Sequence, residues 1–164
     1  VGGALERLRD AVRVMRNRYA RLEQYNVSTI TEYNAKYGAA WGKMKHAVIV
    51  IDEFADLMMS TSQEVEALVC KLAQLGRACG IHLIIATQRP SVKVITGQIK
   101  ANIPARIAFK TASGIDSRVI IDRNGAETLL GAGDGLLVSD GETKRFQGAY
   151  ISADDMQRCI DRLK

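Results

Sequence analysis

An aspartate and a glutamate stand side by side at positions 52 and 53, directly after the apolar run Ala47-Val48-Ile49-Val50-Ile51. The run is rich in β-branched residues and contains nothing polar, as a buried strand would. In parallel α/β sheets, ligands bind beyond the C-terminal ends of the strands. Two carboxylates at such an end suit nucleotide hydrolysis: one holds Mg2+, the other orients and polarises the attacking water. The pair equally suits a solvated turn that closes a strand, and this segment alone leaves both readings open.

Those two acids have to be held by the elements around them. Thr61 and Glu64 have capping-box spacing and predict a helix through Cys79, with Val65, Leu68, Val69, Leu72 and Leu75 on one face and Gly80 as its stop. Phe54 to Met59 predicts a single helical turn before it. Ile81 to Ala86 is a second apolar run. The order strand, helix, strand implies a parallel pair joined by a crossover. The polar loop Thr87-Gln88-Arg89-Pro90 then falls at the same edge as the two acids.

Elsewhere, Leu5, Leu8, Val12, Met15, Tyr19 and Leu22 recur at steps of three and four. They form one stripe on a long helix over 1–25, suited to packing on a sheet or on a neighbouring subunit. Residues 26–45 are polar and interrupted, and read as a connecting loop with one short helical turn. Val92 to Ile99 reads as a short helix, Arg106 to Lys110 as a third strand, and Asp116 to Asp122 as a helix. Asp140-Gly141 between two apolar segments signals a hairpin, and Ser152 caps a last helix with Asp155 in its first turn.

The 164 residues suit one domain with a real core. No apolar run approaches the ~20 residues of a membrane span. A net charge of +5 permits a polyanionic partner without requiring one. Cys70, Cys79 and Cys159 lack metal-ligand spacing and read as free thiols of a reducing, cytoplasmic setting. His46 and His82 read as isolated side chains.

Taken in order, several segments together resemble the motor domain of FtsK/SpoIIIE-type DNA translocases. They are Val50-Ile51-Asp52-Glu53-Phe54-Ala55-Asp56-Leu57-Met58, Leu72-Ala73-Gln74 with Arg77, Gly80-Ile81-His82-Leu83, Ala86-Thr87-Gln88-Arg89-Pro90-Ser91 and Val94-Ile95-Thr96-Gly97. Ile99 to Pro104, Arg106 to Phe109, Ile115 to Arg118 and Gly125 to Asp134 continue the pattern.

The resemblance implies a RecA-like α/β domain: a parallel sheet flanked by helices, with a C-terminal hairpin, in a hexameric ring through which ATP hydrolysis drives double-stranded DNA. It would run over 1–164 as a single truncated domain, with the helix at 1–25, the connector at 26–45 and the core at 46–164. It implies that Asp52 and Glu53 are the Walker B pair, with Asp52 on the Mg2+ water shell and Glu53 activating water. Gln88 would be the polar sensor of the terminal phosphate of ATP. Arg77, and after it Arg118, are candidates to complete a neighbour's site; an ordinary solvated or ion-paired arginine is the alternative for each. Arg89, Lys93, Lys100 and Lys110 are candidates for DNA phosphates, chosen by charge and proximity in sequence.

One expected part is missing. A phosphate-binding loop needs Gly-x-x-x-x-Gly-Lys followed by Ser or Thr. The Gly42-Lys43 pair is followed by Met44 and preceded five positions earlier by Tyr37, so it does not qualify. The expectation is a C-terminal portion of a motor domain that binds ATP weakly and is inert alone. Two rivals remain: a type VII secretion-like ATPase domain that moves protein, and a non-catalytic assembly module. A conjugative coupling protein is a remoter relative with the same strand-and-acid architecture.

Overall fold

The computed structural model describes residues 2–163. The chain forms two compact units, Val1–Ile103 and Pro104–Lys164. The first contains α1 (Gly2–Gln24), α2 (Ile30–Trp41), β1 (Ala47–Ile51), α3 (Phe54–Leu75), β2 (Ile81–Ile85) and α4 (Gly97–Asn102). The second contains β3 (Arg106–Phe109), α5 (Gly114–Ile121), a short 3-10 turn (Ala126–Thr128), β4 (Asp134–Ser139), β5 (Glu142–Gln147) and α6 (Ala153–Asp161).

β1 and β2 pair in parallel, from Ala47 opposite Ile81 to Ile51 opposite Ile85, with α3 as the crossover. Phe54, Val65, Val69 and Leu72 of α3 are buried together with Leu8, Val12, Met15 and Leu22 of α1. The stripe on α1 therefore packs on a helix of its own unit, not on a sheet or a second subunit. Tyr19 and Arg18 of α1 reinforce the contact by donating to the backbone carbonyls of Leu75 and Cys79, at 2.8 Å each.

The segment read as a loop at 26–45 is largely helical. Thr29 caps α2 by accepting from the Glu32 N–H, and the Glu32 carboxylate accepts from the Ser28 N–H. Ile30, Tyr33 and Tyr37 lie at helical spacing; Ile30 and Tyr33 are buried, and Tyr37 packs on the same core. Tyr25 meets Tyr33 edge-on at 5.3 Å. The polar residues between them, among them Asn34, which is bonded to the Met44 backbone, disguised the period.

α3 is also longer than its capping signal suggested. It begins at Phe54 and runs through Thr61, whose φ of −152° and ψ of 53° break the helical geometry. The cap-like residue thus marks the kink at which a first short helical stretch, from Phe54, passes into the longer one. The helix ends at Leu75, so Cys79 lies in the turn 76–80. α4 likewise starts at Gly97, after its Thr96 cap, and not at Val92.

The two-stranded sheet is covered on one side. Ile51 and Ile81 are buried against the helices, while Val48, Val50 and Ile84 on the other face are 59%, 64% and 54% exposed.

In the second unit, β3, β4 and β5 form an antiparallel sheet, so the third strand pairs with β4. β4 and β5 are the hairpin signalled by Asp140-Gly141, and both turn residues have positive φ, 53° and 81°. Ala108, Ile121, Ala126 and Leu129 form its core. Ser152 and Asp155 close a reciprocal capping box on α6, as their spacing predicts. Among the described residues no helix is long and apolar enough to cross a membrane.

Candidate functional site

The parallel ladder continues one step beyond the strands. Ala86 donates its N–H to the Ile51 carbonyl at 2.9 Å, and Phe54 donates to the Ala86 carbonyl at 2.8 Å. These bonds bring residues 52–53 and 86–88 to the same edge of the sheet. Glu53 makes the corner between β1 and α3 in a left-handed conformation, φ 50° and ψ 66°. That costs a non-glycine residue about 1–2 kcal/mol. Phe54 and Ala55, at 0% and 1% exposure, fix the chain immediately after it.

The Glu53 carboxylate faces the β2 loop. Its Oε1 accepts from the Thr87 hydroxyl at 2.6 Å, and its Oε2 accepts from the Gln88 N–H at 3.2 Å. The Thr87 hydrogen bond, opposed by partial burial and helped by the Gln88 N–H and nearby Arg89, holds the carboxyl below its ordinary range. Glu53 is therefore ionised at neutral pH and available as a proton acceptor. Asp52 is exposed, and its carboxylate makes no hydrogen bond or ion pair with the described residues. Asp56, in the first turn of α3, pairs with Arg89.

No group of three or more His, Cys, Asp or Glu side chains among the described residues could enclose a metal. Asp52, an exposed carboxylate, lies next to Glu53 in sequence. Gly42 and Lys43 sit in the irregular stretch between α2 and β1, with no helix N-terminus beside them, so they form no phosphate cradle.

The structure thus groups Asp52, Glu53 and Gln88 at one edge. Arg77 lies elsewhere. It is exposed in the turn after α3, not on the helix itself, and that turn lies at the N-terminal edge of the strand pair, beside Ile81 and Ala47, whereas the acids follow the C-terminal edge. Arg77 cannot reach the acids of its own chain. Arg118 is on α5 in the second unit and donates to Asn124 at 2.6 Å. Of the candidates for phosphate contact, Arg89 is engaged by Asp56, Lys93 is exposed and Lys100 is half-buried. Lys110 is exposed in the second unit. His46 and His82 are not isolated: their Nδ1 and Nε2 atoms are 3.0 Å apart.

Sequence reasoning passed over Thr87 as a site residue. The signal was present in the register: two residues beyond the Ile51–Ile85 pair, Glu53 falls opposite Thr87.

The sequence profile of the FtsK/SpoIIIE family matches residues 1–92. A DNA translocase FtsK of Clostridium tetani is 51% identical over 158 residues, covering 94% of this chain and 21% of the relative. The chain thus spans about a fifth of the length of such relatives. Among solved structures, the pCW3 conjugation coupling protein TcpA, determined as a monomer with ATPγS, matches 99% of this chain and 49% of its own at 31% identity and a TM-score of 0.87. The cytoplasmic domain of the type VII secretion ATPase EccC from Thermomonospora curvata matches 92% of this chain and 18% of its own at 29% identity and a TM-score of 0.79. The fold is the α/β, RecA-like fold of P-loop ATPase domains, present here in part. By profile, sequence identity and fold alike, the chain belongs to the FtsK/SpoIIIE family.

Proposed function

We propose that this chain is the acidic half of the nucleotide site of an ATP-driven translocase of double-stranded DNA. The observation that carries the reading is the joining of Glu53 to Thr87 and Gln88 across the C-terminal ends of two parallel strands. In this reading Asp52 holds the hydrated Mg2+ of bound ATP, which neutralises phosphate charge. The ionised Glu53 takes a proton from the attacking water. The exposed Gln88 side chain both donates and accepts hydrogen bonds, which suits contact with a phosphate oxygen and a water together.

Arg77, at the far end of α3, serves only a neighbour's site, as a hexameric ring would allow. A guanidinium in that role is worth about 10³–10⁵ in rate. Arg118 is the alternative once freed from Asn124. Arg89, Lys93, Lys100 and Lys110 contribute positive charge toward DNA phosphates, which needs no base readout. The motor works on the cytoplasmic side.

The phosphate-binding loop comes from elsewhere in the longer protein, so this segment alone hydrolyses ATP negligibly. The test is ATPase activity of the full-length protein with duplex DNA. Glu53→Gln should lower kcat by about 10²–10⁴-fold. Retention of more than half the wild-type rate overturns the reading. The likeness to EccC favours one second reading, a motor that moves protein. Failure of duplex DNA to stimulate the full-length ATPase would favour it.

A further inference from the structure

The hydroxyl of Thr87 is engaged both as donor and as acceptor. Its oxygen accepts the Arg89 N–H at 3.1 Å, and its one proton is directed to Glu53 Oε1 at 2.6 Å. With the acceptor side of the hydroxyl engaged, its rotor is fixed. The Glu53 carboxylate thus takes Thr87 on Oε1 and the Gln88 N–H on Oε2, and the Ala55 backbone also contributes. A carboxylate has about four lone-pair sites, so one remains that can accept from water. The backbone on both sides is equally fixed, by burial of Phe54 and Ala55 and by the ladder bonds through Ala86. The Glu53 side chain alone has rotational freedom, and the two donors remove it.

We propose that Thr87 is a positioning residue for hydrolysis: its hydroxyl fixes the direction of the Glu53 carboxylate and leaves a defined lone pair facing the attacking water. The inference rests on the reading of Glu53 as the water-activating group. The bond from the Gln88 N–H, at 3.2 Å, is longer than that from Thr87, and without the hydroxyl the carboxylate would be held by backbone groups alone. Reaction rates respond steeply to such misorientation, because a general base must meet its proton in a narrow geometry.

Thr87→Val keeps the shape of the side chain and removes its donor. In the full-length protein it should lower kcat at least about tenfold and leave KM for ATP within about twofold. Thr87→Ser, which restores the hydroxyl, should recover most of the rate. In the same variants without nucleotide, exchange of the Gln88 amide should quicken in Thr87→Val and stay slow in Thr87→Ser. Thr87→Ala repeats the test if the valine variant melts early. An unchanged or raised kcat in Thr87→Val, or an effect confined to KM, overturns the proposal. Run beside Glu53→Gln, the assay separates the two claims. A silent Glu53→Gln defeats the underlying reading and this inference with it. An impaired Glu53→Gln with a silent Thr87→Val defeats this inference alone.

Discussion

Asp134, at the start of β4, is 5% exposed and is held on three sides. Arg145 donates Nε to Oδ1 at 2.8 Å and a terminal nitrogen to Oδ2 at 2.6 Å, and the Leu130 N–H donates to Oδ2 at 2.8 Å. The Arg145 hydrogen bonds, then that of Leu130, lower its pKa from 3.8 to about 2. The unfolded chain therefore takes up the proton first on acidification. The stability from Asp134 is complete above 3.8 and is lost as pH falls toward about 2. An acid titration of unfolding, followed at amides of β4 and β5, should show this loss. Asp134→Asn should remove it and lower the melting point of the second unit at neutral pH. A wild-type transition independent of pH in that range would remove the claim. Glu53 shows the same physics on a smaller scale: both acids are legible as charges in the sequence, but their partners, Arg145 and Thr87, lie eleven and thirty-four positions away.

At the scale of elements, α3 and the turn after it set the distance between the two ends of the sheet. Leu72 is 1% exposed in the α1–α3 contact. Leu72→Ala should destabilise the first unit by about 2–5 kcal/mol, measurable as a shift in the denaturant midpoint. Gly80 ends the turn at φ +73°, where an added Cβ would lie 2.6 Å from Ile30 Cδ1. Gly80→Ala therefore meets both backbone strain and a clash with α2, and should cost about 1–3 kcal/mol by the same measurement. Elements with one strong period or a short turn signal were readable in advance: β1, β2, the β4–β5 hairpin and the capped α6. α2 was not, because Ile30, Tyr33 and Tyr37 are separated by Thr31, Glu32, Asn34 and Lys36, which break up the apolar period. The kink at Thr61 was half-readable, since a cap residue inside a helix imitates the start of one.

At the scale of the whole molecule, the parallel strand pair was legible as two apolar runs, and the parallel direction followed from the helix between them. No composition shift marks Ile103–Pro104, where one compact unit gives way to the next. The candidate site was half-legible. Asp52, Glu53 and Gln88 follow from strand ends, whereas the place of Arg77 depends on where α3 stops. Contact with DNA through Lys93, Lys100 and Lys110 predicts a salt-dependent, sequence-blind affinity for the full-length protein. It should fall at least about tenfold between about 50 and 200 mM salt if three or more phosphates are neutralised. An affinity flat across that range would exclude these lysines.

The bare side of the β1–β2 pair has a practical outcome. Val48, Val50 and Ile84 offer water a ribbon of methyl groups, and each strand keeps an unpaired rim. Purified on its own, the segment should stick to itself: scattering and apparent mass should climb with concentration, and apolar dyes should brighten. Val50→Thr together with Ile84→Thr should quiet this behaviour at little expense in melting temperature, because those methyls are already wet.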